Sequence, residues 1–148
     1  MKSLVFILFL FCQFAFGQNK IAFRKSGTIF TENYHYIFFE DFKRFTPSFQ
    51  EITELEKHLK NYPKIKSVKR LSKYYRQYVG YYNSLNERVI LVNFLWKKDG
   101  RAIDMEGNEI EPWKEEWSEV FDGGNQYWKI KYNPDSKKFY DMIINGIS

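Results

Sequence analysis

The chain has 148 residues, a length typical of one domain, and carries a net charge of +5. This net charge is small and is not concentrated in one polybasic run, so the composition disfavours a nucleic-acid partner. The aromatic content of 20% is the unusual value, because Phe, Tyr and Trp bury large areas and favour sheets. We expect a packed, aromatic-rich domain.

The N-terminal residues 1–17 have the three-part layout of a cleavable secretory signal peptide. Lys2 supplies the positive charge and an apolar run over 4–11 follows it. Ala15 and Gly17 then stand at the −3 and −1 positions, where the peptidase requires small side chains. The apolar run is well short of the roughly 20 residues that cross a bilayer. We therefore predict export, to the periplasm or outside the cell.

Cleavage at this point leaves a single domain over 18–148 with no stable transmembrane segment and no cysteine. Cys12 raises the alternative of a lipoprotein signal, but Phe11 before it is too bulky for lipoprotein processing, so lipidation is disfavoured. An oxidising compartment would permit disulfides, yet the remaining chain has no cysteine with which to form them. Its stability must come from a packed core.

The first predicted elements follow a short leader over 18–25. Segments 28–30 and 34–39 are rich in strand-forming residues, which predicts a strand in each. A helix is predicted next, with Thr46 as its N-cap and Pro47 at its first position. Apolar residues then recur at helical spacing and line one face, before Pro63 ends the helix: they are Phe49, Ile52, Leu55, Leu59 and Tyr62. This face needs a sheet to cover it.

The second half of the chain reads as strands joined by turns. The predicted strands are 74–82, 89–96, 126–132 and 139–144, and the turns are 83–87, 122–125 and 133–136. The polar stretch 97–112 is predicted to be a loop or a small ribbon. One helix on a curved antiparallel sheet of four or more strands gives an α+β domain, for which a cystatin-like roll is the first choice. A cone-shaped fold of the nuclear-transport-factor type is the alternative.

Several short motifs in this half resemble those of a group of small exported bacterial proteins of unknown function. The motifs are Tyr78-Val79-Gly80 within 75–80, the tryptophans of 113–117, Asp122-Gly123-Gly124 within 120–124, Tyr127-Trp128, and the ending Asn145-Gly146. The resemblance covers about the last 75 residues as a matter of pattern. It implies one compact domain and no particular activity.

A cystatin-like fold also invites the hypothesis of a cysteine-protease inhibitor. Such inhibitors resemble a wedge built from a Gln-x-Val-x-Gly hairpin and a Pro-Trp loop. Here Gln77-Tyr78-Val79-Gly80 lacks that spacing and falls within a predicted strand, while Pro112-Trp113 is only two residues long. Inhibition is therefore disfavoured, because fold analogy alone is a weak argument for function.

We find no motif for a cofactor, a nucleophile or a metal site. The sequence has no serine elbow, no zinc-ligand pair and no phosphate-binding glycine loop. Acidic residues do cluster in the polar stretch, where calcium would find oxygen ligands, but their spacing does not match a calcium loop: they are Asp104, Glu106, Glu109 and Glu111. We expect neither metal nor cofactor.

Two functional hypotheses remain. The first is a non-catalytic binding or interaction module of the cell envelope, which contacts an envelope protein or a small ligand through aromatic side chains; the candidates are Tyr74, Tyr78, Tyr82, Trp113, Trp117 and Trp128. The alternative is a small enzyme or ligand-binding protein with a pocket between helix and sheet; its candidate residues are His35, Asp122 and Tyr140. The absence of catalytic motifs favours the first.

Overall fold

The computed structural model describes residues 17–146. The predicted signal peptide lies outside the described residues except for Gly17, and so does Cys12. The helices are α1 (Phe49–Leu59) and the single turn α2 (Pro112–Glu115). The strands are β1 (Lys20–Phe23), β2 (Gly27–Phe30), β3 (Arg44–Phe45), β4 (Tyr74–Tyr82), β5 (Arg88–Trp96), β6 (Ala102–Ile103), β7 (Glu109–Ile110), β8 (Tyr127–Asn133) and β9 (Lys138–Ile144).

The main sheet runs in the order β1-β2-β4-β5-β8-β9, with β3 paired to one end of β4. All of its pairs are antiparallel except β2 with β4, which are parallel because α1 lies in the connection between them. The prediction of a mixed α+β chain with a mostly antiparallel sheet is confirmed. The polar stretch before α2 forms a small separate ribbon of β6 and β7.

Helix α1 begins two residues later than predicted, because Ser48 rather than Thr46 is its N-cap. The Ser48 hydroxyl accepts from the Glu51 N–H at 3.1 Å, and the Glu51 carboxylate accepts from the Ser48 N–H at 2.9 Å. This reciprocal capping box satisfies two backbone donors that would otherwise lack partners. The Thr46 hydroxyl instead accepts from the Glu32 N–H, which ties it to a neighbouring loop.

Alternate residues of the central strands face α1 and form the main core. Ile52, Leu55 and Leu59 of the helix are fully buried against them. The closest aromatic contact is between Phe94 of β5 and Trp128 of β8, whose ring centroids lie 3.6 Å apart in nearly parallel planes. Strand alternation with a period of two therefore produces the helix face of the sheet.

The opposite face, here called the outer face, is covered by residues 112–121. Two buried amides hold this segment in place. The Gln77 amide donates to the carbonyls of Trp113 and Glu116 at 2.8 and 2.6 Å. Asn93 donates to the Gln77 side chain at 3.0 Å and to the Ser118 carbonyl at 2.7 Å. Because these buried amides are paired, the outer face tolerates polar groups at the centre of a sheet.

The predicted strand over 34–39 is wrong. Ile37–Phe39 is a turn of 3₁₀ helix, and the flanking aromatic rings pack on one another rather than along a strand. Phe39 inserts against Trp117 at 5.2 Å between ring centroids. Aromatic residues favour strands only where a neighbouring strand can pair, and here the packing of the rings decides the conformation.

Two of the motifs that carry the resemblance meet at the end of the sheet. The Asn145 amide donates to the carbonyls of Val120 and Asp122, and the Gly124 N–H donates to the Gly146 carbonyl. Gly123 adopts a left-handed φ of 84°, and a Cβ there would lie 2.6 Å from the Tyr127 ring. The Asp-Gly-Gly and Asn-Gly motifs thus form one structural clasp.

Candidate functional site

The predicted aromatic contact residues do not form an exposed surface. Of the six, Tyr74, Tyr78 and Trp128 are fully buried on the helix face, and Trp113 and Trp117 are 3% and 4% exposed beneath the outer segment. Only Tyr82 is half-buried. Five of the six rings therefore belong to the core, because large rings next to a sheet contribute most to stability when they leave water.

The predicted pocket residues are likewise not brought together. His35 is exposed and lines a shallow cavity of about 170 Å³ that includes neither Asp122 nor Tyr140. Asp122 is exposed, and its backbone carbonyl serves the Asn145 clasp. Tyr140 is half-buried on β9, where burial raises the pKa of its hydroxyl. The structure therefore does not gather these three residues around one cavity.

The acidic cluster is used within the β6–β7 ribbon. Asp104 accepts from the backbone N–H groups of Glu106 and Asn108 at 2.9 and 2.8 Å, and the bonds from Asn108 do most to hold the pKa of this carboxyl below its usual value. Glu109 pairs with Arg101, and Glu111 pairs with Lys114. Within residues 17–146, no group of three His, Cys, Asp or Glu residues is placed to hold a metal ion.

A different place in the molecule gathers charge around a concave surface. A cavity of about 440 Å³, here called the basic groove, lies between the β1–β2 hairpin and α2. Its lining residues are Lys20, Ala22, Arg24, Lys25, Gly27, Thr28, Trp113, Lys114 and Glu115. Four of these are cations and one is a carboxylate, so the groove has an excess of positive charge.

The β1–β2 hairpin positions its cations by strand alternation. Ile21 and Phe23 point to the helix face, where both contact the main core. Lys20 and Ala22 therefore point to the outer face and into the groove. Arg24 follows at the turn with a left-handed φ of 54°, a conformation that costs energy for a residue with a side chain. The turn thereby places a cation at the tip of the hairpin.

The opposite wall of the groove is α2, which is fixed by the buried amides described above. Trp113 stacks on Tyr75 of β4 with a centroid separation of 4.1 Å and an interplanar angle of 12°. Lys114 lies over the Trp113 ring at 5.4 Å and pairs with Glu111, while Glu115 pairs across the groove with Lys20. Charged groups thus line both walls.

Two of the four cations lack a carboxylate partner. Among the described residues, neither Arg24 nor Lys25 forms an ion pair. Both residues are exposed at the hairpin tip, and the Arg24 guanidinium lies over the Phe23 ring, 5.1 Å from its centroid. Two exposed cations without a carboxylate partner can both attract an anion.

A smaller cavity of about 130 Å³ lies on the other side of the same hairpin and shares Arg24 and Gly27 with the groove. The carboxylate in this cavity is Glu56, which accepts a hydrogen bond from the Tyr78 hydroxyl at 2.8 Å. Glu56 also forms an ion pair with Arg76, whose Nε lies 2.8 Å from the carboxylate, although the Nε–H bond does not point at the carboxylate oxygen. Burial raises the pKa of Tyr78 well above its usual value, so it stays protonated. Glu56 is thus committed to an ion pair with Arg76, and this cluster is structural.

The basic groove was missed by sequence reasoning, which treated 18–25 as a leader. The available signal was the alternation of Lys20, Ala22 and Arg24 with Ile21 and Phe23. That alternation is typical of a half-buried strand with a charged outer face. The second wall comes from 113–115, about 90 residues later, and the sequence alone does not place it beside β1.

Comparison with known proteins identifies no relative: no family model matches the chain, and no curated protein or solved structure matches it. Within the described part of the chain, no helix is both long and apolar enough to cross a membrane. The functional assignment therefore depends on the groove itself.

Proposed function

We propose that this protein is an exported, non-catalytic binding module whose basic groove takes an acidic partner protein of the cell envelope. The observation that carries the proposal is the charge of the groove, in which four cations face one carboxylate and two of the cations form no ion pair within residues 17–146. Export is supported by the layout of residues 1–17. An exported protein does not meet the nucleic acids inside the cell, so we propose a protein partner and not a nucleic acid.

The groove is best suited to a partner that forms ion pairs with several of these cations at once. A single exposed ion pair is worth only about 0–1 kcal/mol, because water and salt screen it. Lys20, Arg24, Lys25 and Lys114 stand around one groove, so a ligand with several carboxylates gains from each of them together. Such binding is fast to form and weakens with salt.

The remaining hypotheses find less support. A pocket-bearing enzyme needs a free acid or base, yet Glu56 in the small cavity is engaged by Tyr78 and Arg76. A protease inhibitor needs an exposed wedge, yet Gln77 is buried in the middle of β4. We retain the cystatin-like roll as our proposal for the architecture, since one helix crosses one face of the sheet, with the cone-shaped fold as the alternative.

The test is charge reversal at the hairpin tip, with poly-L-glutamate as the acidic probe. The double variant R24E/K25E is expected to bind the probe at least about tenfold more weakly than the parent, because two attractions become repulsions. The measurement is fluorescence anisotropy of labelled probe at low and at physiological salt.

The matched control is K64E/K66E, which makes the same change of net charge on the exposed turn Pro63–Ser67, whose residues do not line the groove. We expect this control to stay within about twofold of the parent once salt screens the general charge of the protein. Equal losses in both double variants would mean that only net charge matters, which contradicts a site at the groove.

A further inference from the structure

Strand β1 is an edge of the main sheet, and it pairs on one side only. Within the described chain its single partner is β2. The Thr31 N–H donates to the Asn19 carbonyl across this pair, so the hydrogen-bonded positions of the hairpin are Asn19, Ile21 and Phe23. The N–H and C=O groups of Lys20 and Ala22 therefore point away from the sheet, at its open edge.

The same two residues also line the basic groove. The side chains of Lys20 and Ala22 point to the outer face, whereas Arg24 in the hairpin turn lines the groove with its guanidinium over the Phe23 ring. An extended chain that paired with β1 would thus lie along the groove. Its alternate side chains on the outer face would stand beside Lys20 and Lys114, with Arg24 and Lys25 at the hairpin tip. The edge of β1 and the adjoining basic groove therefore present free backbone donors and acceptors next to cations.

We propose that the acidic partner binds as an added β-strand on the edge of β1, with carboxylates at alternate positions that enter the basic groove. This inference rests on the proposed function and specifies its partner as an extended acidic segment. Main-chain hydrogen bonds supply part of the affinity, and the side chains at alternate positions supply the specificity.

The charge of the edge also selects against a second copy of this chain as the occupant. Two β1 strands side by side would bring Lys20 and Arg24 of one copy close to those of the other, and like charges across a strand pair are destabilising. An acidic strand would instead place carboxylates beside these cations, which is favourable. The cations therefore protect the edge from self-association while leaving it open to a complementary partner.

The other edge of the sheet is less suited to strand addition. Strand β9 has an irregular register with β8 between Lys129 and Lys131, and Asp141 there adopts a left-handed φ of 49°. A bulge of this kind bends the strand and interrupts its hydrogen-bonding pattern. Lys131 of β8 already forms an ion pair with Asp141 of β9. These features favour β1 as the docking edge.

The decisive variant is Ala22→Pro, which removes an N–H that points to the open edge and takes part in no bond to β2. The probe is a synthetic peptide that alternates glutamate and valine, and its control is the same peptide with proline for the central valine. We expect Ala22→Pro to bind the alternating peptide about tenfold more weakly than the parent does.

A second measurement on the parent keeps the test independent of how well this variant folds. The alternating peptide is expected to slow hydrogen exchange at the backbone amides of Lys20 and Ala22, and the proline-containing peptide is not. Unchanged exchange at both amides during saturated binding would overturn strand addition, as would parental affinity in a folded Ala22→Pro protein.

Anion binding by the groove and strand addition to β1 give different results in these experiments. If strand addition is wrong but the groove binds anions, R24E/K25E loses poly-L-glutamate while Ala22→Pro and the exchange of the β1 amides show no effect. If R24E/K25E binds both probes as the parent does, the proposed function itself is wrong.

Discussion

Replacing Trp128 with alanine is expected to lower the free energy of unfolding by about 3–5 kcal/mol. Trp128 is fully buried, its ring stacks on Phe94 at 3.6 Å, and the Tyr74 ring meets it edge-on at 5.8 Å. Truncation leaves a large cavity at the centre of the sheet, which the surrounding rings cannot fill without leaving their rotamers. Chemical denaturation followed by circular dichroism measures the loss.

The control is Tyr82→Ala, which truncates the one half-buried member of the same aromatic set. Its ring contacts Phe45 at 5.5 Å and lies under the Lys43 ammonium group at 4.8 Å. We expect a loss of about 1 kcal/mol, since much of this ring already faces water. If Trp128→Ala lowered the free energy of unfolding no more than Tyr82→Ala does, the assignment of Trp128 to the core would be wrong. The hypothesis that Trp128 contacts a partner would then be favoured again.

The second large effect is expected at Gln77. Gln77→Ala should cost about 2–4 kcal/mol, because the buried carbonyl of Trp113 and the Ser118 N–H, which donates to Gln77 at 3.0 Å, lose their partner. The same amide also accepts from Asn93. A double-mutant cycle with Asn93→Ala is therefore expected to give a coupling energy of about 0.5–3 kcal/mol.

Two further variants define what this experiment measures. Gln50→Ala removes the same side chain from an exposed position of α1 and is expected to change stability by less than about 0.5 kcal/mol. Gln77→Glu keeps the size of the side chain but loses its two donors and buries a charge, so it should not rescue the protein. Additive losses for Gln77→Ala and Asn93→Ala would contradict a shared network.

The Gln77 network also links the core to the basic groove. The segment that it anchors contains Trp113, Lys114 and Glu115, the second wall of the groove. Loss of the anchor is thus expected to weaken acidic-peptide binding even where the protein remains folded. The buried polar pair at the centre of the sheet consequently serves the binding surface as well as the fold.

Sequence reasoning recovered the elements that follow local rules. The hairpin of β4 and β5 and the later strands follow from alternation and turn residues, and α1 follows from its apolar face. The sequence pattern at Thr46-Pro47 places the start of α1 two residues early, although Ser48 and Glu51 also have the spacing of a capping box. Both signals were present, and the reciprocal side-chain bonds decide between them.

What the sequence did not predict depends on contacts between distant segments. The aromatic run 34–39 has the composition of a strand, but no strand of the described chain pairs with it, and its rings pack on each other and on Trp117. The groove requires α2 to lie beside β1, which Gln77 and Asn93 bring about from the middle of the sheet. Local propensity carries no information about such an arrangement.

The central claim is that the basic groove, rather than another cationic surface, binds the acidic partner. The most direct test is to titrate ¹⁵N-labelled protein with the alternating glutamate–valine peptide and to map the backbone chemical-shift changes. We predict that the largest changes fall on residues 20–28 and 113–115. Changes centred on the other lysine-rich stretch, 64–73, or spread evenly over the exposed lysines would contradict the assignment of the groove.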